Sequence, residues 1–259
     1  MKKAYMNIVS HEKIARNIYE MTLQGELVSL MNHPGQFVHI RVGDSLDPIL
    51  RRPISIAKIN KEEQTFTIVY RAEGKGTLLL SQKKIGDLVD VLGPLGNGFS
   101  INTVPTGEKA LIVGGGIGVP PLLELSKQLN AVGIETIHVL GFQSKEDVFY
   151  EQQFLSLGDT YIATVDGSYG TEGFVTNVLN DNPFSFHTVF SCGPTVMLKV
   201  IEEKYSTNYP VFLSLEERMG CGIGACFACV CHRKDDPTGF TYRKVCTDGP
   251  VFPAGEVLI

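Results

Sequence analysis

Cys221-Gly-Ile-Gly-Ala-Cys226-Phe-Ala-Cys229, with Cys246 further on, sets four thiols in a C-x4-C-x2-C pattern and a distant fourth position. Thiolates so spaced suit a plant-type [2Fe–2S] centre, whose chemistry is the transfer of single electrons. Glycines at 220, 222 and 224 let the backbone curl tightly there and aim N–H groups at the sulfurs. A structural zinc site is the competing reading. It usually pairs two short knuckles across the metal, whereas three of these cysteines crowd one loop. Cys231 lies nearby but falls outside the loop pattern.

Two further turns carry the chemistry of nucleotides. Gly114-Gly-Gly-Ile-Gly118 follows a short apolar run and precedes a helical pattern. Bare backbone at Gly114, Gly115, Gly116 and Gly118 can approach a pyrophosphate at a helix N-terminus. It is not the G-x-G-x-x-G fingerprint, because Val119 stands where the third glycine belongs, and a plain strand-to-helix connection is the alternative. Cys192-Gly193-Pro194 ends another such strand and leaves open space at the same kind of edge, although Cys192 also reads as a buried inert thiol. Asp166, after a third strand, suits a ribose diol and would repel a 2′-phosphate, favouring NAD over NADP. A turn aspartate, with Lys145 available to a phosphate, is the other reading. In the first half, Arg51-Arg-Pro-Ile-Ser55 couples guanidinium groups to a small hydroxyl, a set suited to phosphate and a flavin ring edge, or simply to a solvated surface.

These residues need a scaffold, and the apolar patterning supplies one. Tyr19–Gln24, Gln36–Arg41, Thr65–Arg71 and Asp87–Leu92 alternate or run as short strands between turns at Asn32–Gly35, Gly74–Gly76 and Gly93–Gly96. That spacing predicts a closed antiparallel barrel. After a linker at Thr103–Gly107, strands at Lys109–Val113, Thr136–Phe142, Tyr161–Val165 and Thr188–Ser191 alternate with helices. One helix begins near Pro120, with Leu122, Leu125, Leu129 and Val132 on one face; another covers Pro194–Tyr205. Alternation of this kind predicts a parallel α/β sheet. The fold class expected is therefore multidomain α+β: a barrel over residues 1–102, an α/β domain over 103–209, and a small cysteine-rich domain over 210–259.

The chain has 259 residues, 43% hydrophobic and 20% charged, with a net charge of −5. Those values suit a globular protein with two domains and an appendage, and give no footprint for nucleic acid. No apolar stretch approaches the ~20 residues that span a bilayer, and no secretory leader is apparent. Six cysteines in such a chain argue for metal binding rather than disulfides, and a cytoplasmic location is expected.

Taken in order, Arg52–Ser55, Ile68–Arg71, Gly74–Thr77, Gly93–Asn97 and Gly114–Gly118 resemble the ferredoxin–NADP reductase superfamily, in which an FAD-binding barrel precedes a pyridine-nucleotide domain. With Leu215-Glu-Glu-Arg-Met-Gly-Cys-Gly222 and the cysteine loop added, the whole chain resembles the electron transfer subunit family of B-type dihydroorotate dehydrogenases. The resemblance implies FAD contacts from Arg52, Pro53, Ile54 and Ser55. It implies that Val69, Tyr70 and Arg71 line the flavin and its ribityl chain, and that Gly76 and Thr77 meet the pyrophosphate. It also implies that Gly114–Gly118 and Cys192–Pro194 frame nicotinamide, and that Cys221, Cys226, Cys229 and Cys246 ligate the cluster.

Hydride exchange between nicotinamide and flavin needs no acid–base pair, so no catalytic side chain is expected. The six histidines are expected to be surface or satisfied packing residues, and Glu216 and Glu217 either meet a flavin or ribose edge or are solvated. The chain has no second flavin fold and no pyrimidine pocket. The resemblance therefore implies an FMN-containing partner that oxidises dihydroorotate, two copies of each subunit, and electrons passing to NAD in pyrimidine synthesis. The rival readings are a reductase subunit of a hydrogenase or sulfur-reducing complex, a free-standing NAD(P)H reductase, and a zinc-stabilised binding module.

Overall fold

The structure, a computed structural model, describes residues 1–43 and 47–259. Six strands close the first layer: β1 (Lys2–Ala15), β2 (Ile18–Gln24), β3 (Phe37–Arg41), β4 (Arg52–Asn60), β5 (Thr65–Arg71) and β6 (Leu88–Leu95). Their order is β1-β2-β5-β4-β3-β6, every pairing is antiparallel, and β6 returns to β1. The period-2 alternation sends Met6, Ile8, Met21, Leu23, Val38, Ile40, Ile54, Ile56, Phe66 and Ile68 into one barrel core. Strand β4 carries Pro53, a residue that the interior of a sheet excludes. It is tolerated as the second residue, where the strand begins. A short helix, α1 (Lys75–Leu80), covers the connection from β5 to β6.

The second layer is a seven-stranded sheet in the order β10-β9-β8-β7-β11-β12-β15. It comprises β7 (Lys109–Gly115), β8 (Glu135–Phe142), β9 (Gly158–Thr164), β10 (Thr171–Glu172), β11 (Thr188–Cys192), β12 (Val211–Ser214) and β15 (Val251–Pro253). All are parallel except β15. Alternate residues of β7 feed two cores. Leu111 and Val113 pack under α4 (Val175–Asp181) and α5 (Thr195–Tyr205), whereas Ala110 and Ile112 pack under α2 (Val119–Ala131) and α3 (Glu151–Leu155). Leu122, Leu125 and Leu129 are fully buried on α2, each contributing about 1.5–3 kcal/mol of burial. Val132 departs from its expected place. It follows the last helical residue and is 52% exposed, because the chain turns there toward Gly133.

The segment after residue 210 is woven into this sheet through β12 and β15, and a separate two-stranded ribbon, β13 (Val230–His232) with β14 (Tyr242–Lys244), stands on the loop between them. Barrel and sheet are fastened by polar ties as well as apolar contact. Arg16 Nε donates to Asp147 at 3.0 Å, the Ile59 amide donates to Glu124 at 3.0 Å, and Tyr150 donates to Glu20. Among the described residues, no helix is long and apolar enough to cross a membrane.

The barrel also holds a buried ion pair. Arg51 meets Asp90 at 2.8 Å, and Asp90 is only 6% exposed. Arg51→Met would leave that carboxylate with Lys3 alone, at 3.3 Å. We expect a stability loss of about 3 kcal/mol, seen as a lower urea midpoint and largely recovered in Arg51→Met/Asp90→Leu.

Candidate functional site

Strands β7 and β11 lie side by side but send their connections in opposite directions, α2 toward β8 and α5 toward β12. This is the topological switch point of the sheet, where ligands of open α/β sheets bind. The ladder pairs Cys192 with Gly114, so the Gly114–Gly118 turn and Cys192-Gly193-Pro194 leave the sheet together. They interlock. A Cβ on Gly118 would fall 2.4 Å from the Cys192 carbonyl oxygen, and one on Gly115 would fall 2.8 Å from Pro194 Cδ. Over this junction opens a cavity of about 690 Å³, bounded by Gly115, Gly116, Gly193 and Pro194 below and by Ile18 and Arg71 of the barrel at the side.

Glu216 and Glu217 line the same cavity. Desolvation raises the Glu216 carboxyl above its usual range, against the pull of Arg71. The Cys192 thiol is buried, and its pKa is pushed up to about 12 by that burial and then by Glu216. It is a neutral, inert neighbour of the cavity rather than a nucleophile. Asp166 sits exposed just beyond β9, where its Oδ1 accepts from the Ser168 amide at 3.0 Å and from the Ser168 hydroxyl at 2.6 Å. These bonds, the side-chain one foremost, hold its carboxyl below the usual range.

On the barrel side, the two arginines of Arg51-Arg52 diverge. Arg51 turns to Asp90 and to the His39 carbonyl, whereas Arg52 lies across the first turn of α1. A Cβ on Gly76 would sit 2.6 Å from Arg52 Nε, so glycine there makes room for the guanidinium. Thr77 closes that turn by accepting from the Gly74 amide at 3.2 Å. Alternation on β4 sends Ile54 into the barrel core and leaves Pro53 and Ser55 on the outer face, opposite His39 and Phe37 of β3. Val69 and Arg71 of β5 face the sheet layer and the cavity. The Tyr70 ring is buried beside Tyr19, and its hydroxyl donates to His11 Nε2 at 2.8 Å. Burial lifts the Tyr70 hydroxyl well above its ordinary pKa.

The cysteine loop packs between these two regions. Its thiols fall into two close pairs, Cys221 with Cys226 and Cys229 with Cys246. Among the described residues no three His, Cys, Asp or Glu side chains converge on a single metal position. Two pairs suit two irons, each taking two thiolates. The Cys226 amide donates to Cys221 Sγ at 3.3 Å, and the Gly224 amide to Cys246 Sγ at 3.3 Å. Desolvation works to raise the Cys221 thiol, but amide donors from Ile223 and Cys226 outweigh it and lower the pKa to about 7. Gly222 and Gly224 adopt φ of +72° and +78°, which only glycine takes without strain. Cys231 stands apart on β13, its thiol pushed up to about 11 by burial and by Glu217.

One expectation fails here. His138 is a satisfied packing histidine, bonded to Ser126 at 2.8 Å and Thr160 at 2.9 Å, but His39 is fully buried and neither ring nitrogen has a hydrogen-bond partner. Burial, with Arg51 and Arg52 adding to it, lowers its pKa to about 4; the nearby Cys221 carbonyl opposes the shift. Its place was not legible because the loop it touches arrives from the far end of the chain.

Residues 5–99 match the model of an oxidoreductase FAD-binding domain, and residues 216–258 that of the iron–sulfur cluster binding domain of dihydroorotate dehydrogenase B. The chain is 57% identical, over 100% of both chains, to dihydroorotate dehydrogenase B (NAD(+)) electron transfer subunits of Bacillus mycoides and Bacillus cereus. A solved NADH-dependent reduced ferredoxin–NADP oxidoreductase chain superposes with a TM-score of 0.87 at 31% identity, covering 98% of this chain and 90% of that one. The ferredoxin reductase of carbazole 1,9a-dioxygenase shares the fold, with a TM-score of 0.69 at 18% identity over 82% of this chain and 68% of its own.

Gly118→Ala tests the interlocked turns. Its methyl meets backbone, which cannot swing aside, so the switch point must open. We expect a loss of roughly 1–3 kcal/mol in stability and weaker NADH binding by titration calorimetry, with flavin content retained.

Proposed function

The chain belongs to the family of electron transfer subunits of NAD-dependent dihydroorotate dehydrogenase B, and from that premise we propose how its residues divide the work. The protein is an oxidoreductase subunit of pyrimidine biosynthesis that binds FAD, an iron–sulfur cluster and NAD. When bound, these groups supply hydride exchange between flavin and nicotinamide and one-electron exchange between flavin and cluster.

We assign residues 1–102 to FAD, 103–209 to NAD and 210–259 to the cluster. Arg52 neutralises phosphate, and Gly76 and Thr77 present backbone to the pyrophosphate. Pro53, Ile54 and Ser55 form the strand against which the flavin is held, Ser55 offering a hydroxyl to its edge. Val69, Tyr70 and Arg71 border the flavin and ribityl chain, with Tyr70 acting through its backbone while its ring is held by His11 and Tyr19. Gly115 and Gly116 let the nucleotide close on bare backbone, Gly114 and Gly118 pack the turn against Leu122 and the Cys192 carbonyl beneath it, and Gly193 and Pro194, backed by Cys192, exclude water beneath nicotinamide. Asp166 accepts from the ribose through the oxygen not engaged by Ser168. Cys221, Cys226, Cys229 and Cys246 ligate a [2Fe–2S] centre.

The observation that carries this reading is proximity: the loop of paired thiols leaves the carboxyl edge over which the cavity opens and rests on His39, the neighbour of Pro53 on the adjoining barrel strand. The partner we infer is the FMN-containing catalytic subunit that oxidises dihydroorotate to orotate, two copies of each forming the complex. Phe227 in the cysteine loop and Phe240 in the β13–β14 connection, 64% and 85% exposed, suit a surface that such a subunit covers.

Anaerobic NADH should bleach the flavin and raise a rhombic EPR signal from the cluster. Cys226→Ser should abolish or alter that signal, whereas Cys231→Ser should retain it. Adding the catalytic subunit should restore dihydroorotate-dependent NAD reduction; a colourless, zinc-containing protein would falsify the assignment.

A further inference from the structure

Among the described residues, His39 is a buried side chain with both polar ring atoms unpartnered, and the assignment above leaves it unused. Strand β3 alternates, so Val38 and Ile40 enter the barrel core while Phe37 and His39 face outward. Register places Phe37 beside Ser55 and His39 beside Pro53, so the outer faces of β3 and β4 form one platform. The cysteine loop lies on the β3 half of that platform. A Cβ on Gly222 would fall 2.6 Å from His39 Nδ1, which means the imidazole rests directly against the loop backbone between the first two cysteine ligands. Arg51 Nη1 donates to the His39 carbonyl at 3.2 Å and fixes the strand from behind. Both ring nitrogens are nonetheless buried and unpartnered. A leucine or phenylalanine would fill this space without that cost, so the position calls for a polar ring. The acceptor beside the ring is the carbonyl of Cys221, the residue before Gly222.

We propose that His39 is a positioning residue for electron transfer, donating a hydrogen bond to the Cys221 carbonyl when the cluster is seated and thereby holding the cysteine loop at a fixed separation from strand β4. The proposal rests on the assignment of flavin to β4 and of cluster to the loop. Its consequence is selective. Nothing at His39 touches the switch-point cavity, so exchange with NADH is unaffected, whereas the step between flavin and cluster depends on the distance the imidazole sets. The hydrogen bond also draws electron density from the ligand backbone, so removing it changes the electronic environment of the cluster.

The test compares full-length His39→Leu, His39→Asn and His39→Gln, each carrying FAD and cluster, by anaerobic stopped flow with NADH and by EPR of the dithionite-reduced protein. His39→Leu should bleach its flavin at the wild-type rate, reduce its cluster about tenfold more slowly, and shift the EPR g-values; at least one amide variant should recover both. Wild-type cluster reduction and g-values in His39→Leu overturn the proposal. If His39→Leu fails to hold the cluster, the amide variants decide: recovery by either supports the hydrogen bond, and failure of both overturns it. A wild-type chain without flavin bleaching or without a cluster signal would instead refute the functional assignment, and this inference with it.

Discussion

The pairing of β12 with β15 is the interaction on which the rest depends. The chain leaves the sheet at Ser214 and re-enters at Val251, and those two residues are partners in the same ladder. The Leu215 amide donates to the Pro250 carbonyl at 2.9 Å, which closes the base. The whole cysteine-bearing segment is thus a loop with both ends clamped side by side, and further lengthening it would cost little closure entropy. Because β12 points its carboxyl end toward the switch-point edge, the clamp also decides where the loop stands. A second tie, Asn97 Nδ2 to the Thr247 carbonyl at 2.9 Å, draws the loop against the barrel. Thiol loop, barrel strand and nucleotide turns come together because one antiparallel strand closes a parallel sheet.

The same economy governs the charged and sulfur-bearing side chains. Arg51 precedes β4 and Arg52 opens it, and their side chains diverge to different partners. Arg51 is consumed by Asp90, whereas Arg52 lies over Gly76 and donates to the Leu50 carbonyl at 2.7 Å. The six cysteines divide on a similar physical basis. Cys221 and Cys246 receive backbone N–H donors, which favour the thiolate, although burial still pushes the Cys246 thiol up to about 11. Cys192 and Cys231 are buried beside carboxylates, which disfavours the thiolate and leaves them as packing residues.

Much of this was legible in the sequence where the signal is local. Period-2 alternation located β2 and β3, strand-like runs located β5 and β6, and the glycine turn after Lys109–Val113 marked the edge where the cavity opens. The cysteine spacing marked the segment that matches an iron–sulfur cluster binding domain. What escaped was set by contacts far apart along the chain. Strand β4 hid behind Pro53, and β12 and β15 are too short to show a period and exist because β11 offers an edge. The histidines read alike from sequence. Only the meeting of β3 with a loop nearly two hundred positions later distinguishes His39 from His138, whose partners Ser126 and Thr160 lie on its own sheet and helix.

The switch point shows why glycine patterning can be read too narrowly as a matter of conformational freedom. Gly118 has φ −78° and ψ −11°, an ordinary helical geometry open to any residue. What excludes a side chain is the Cys192 carbonyl, close enough that no Cβ fits between. Gly193 faces the reciprocal limit, since a Cβ there would lie 2.9 Å from the Gly115 amide nitrogen. The two turns therefore form one rigid unit whose spacing is inherited from the β7–β11 ladder, residue opposite residue. The floor of the cavity is thus a surface whose shape is fixed by main-chain hydrogen bonding before any ligand arrives, which is the preorganisation that positions a ligand without cost at the moment of reaction.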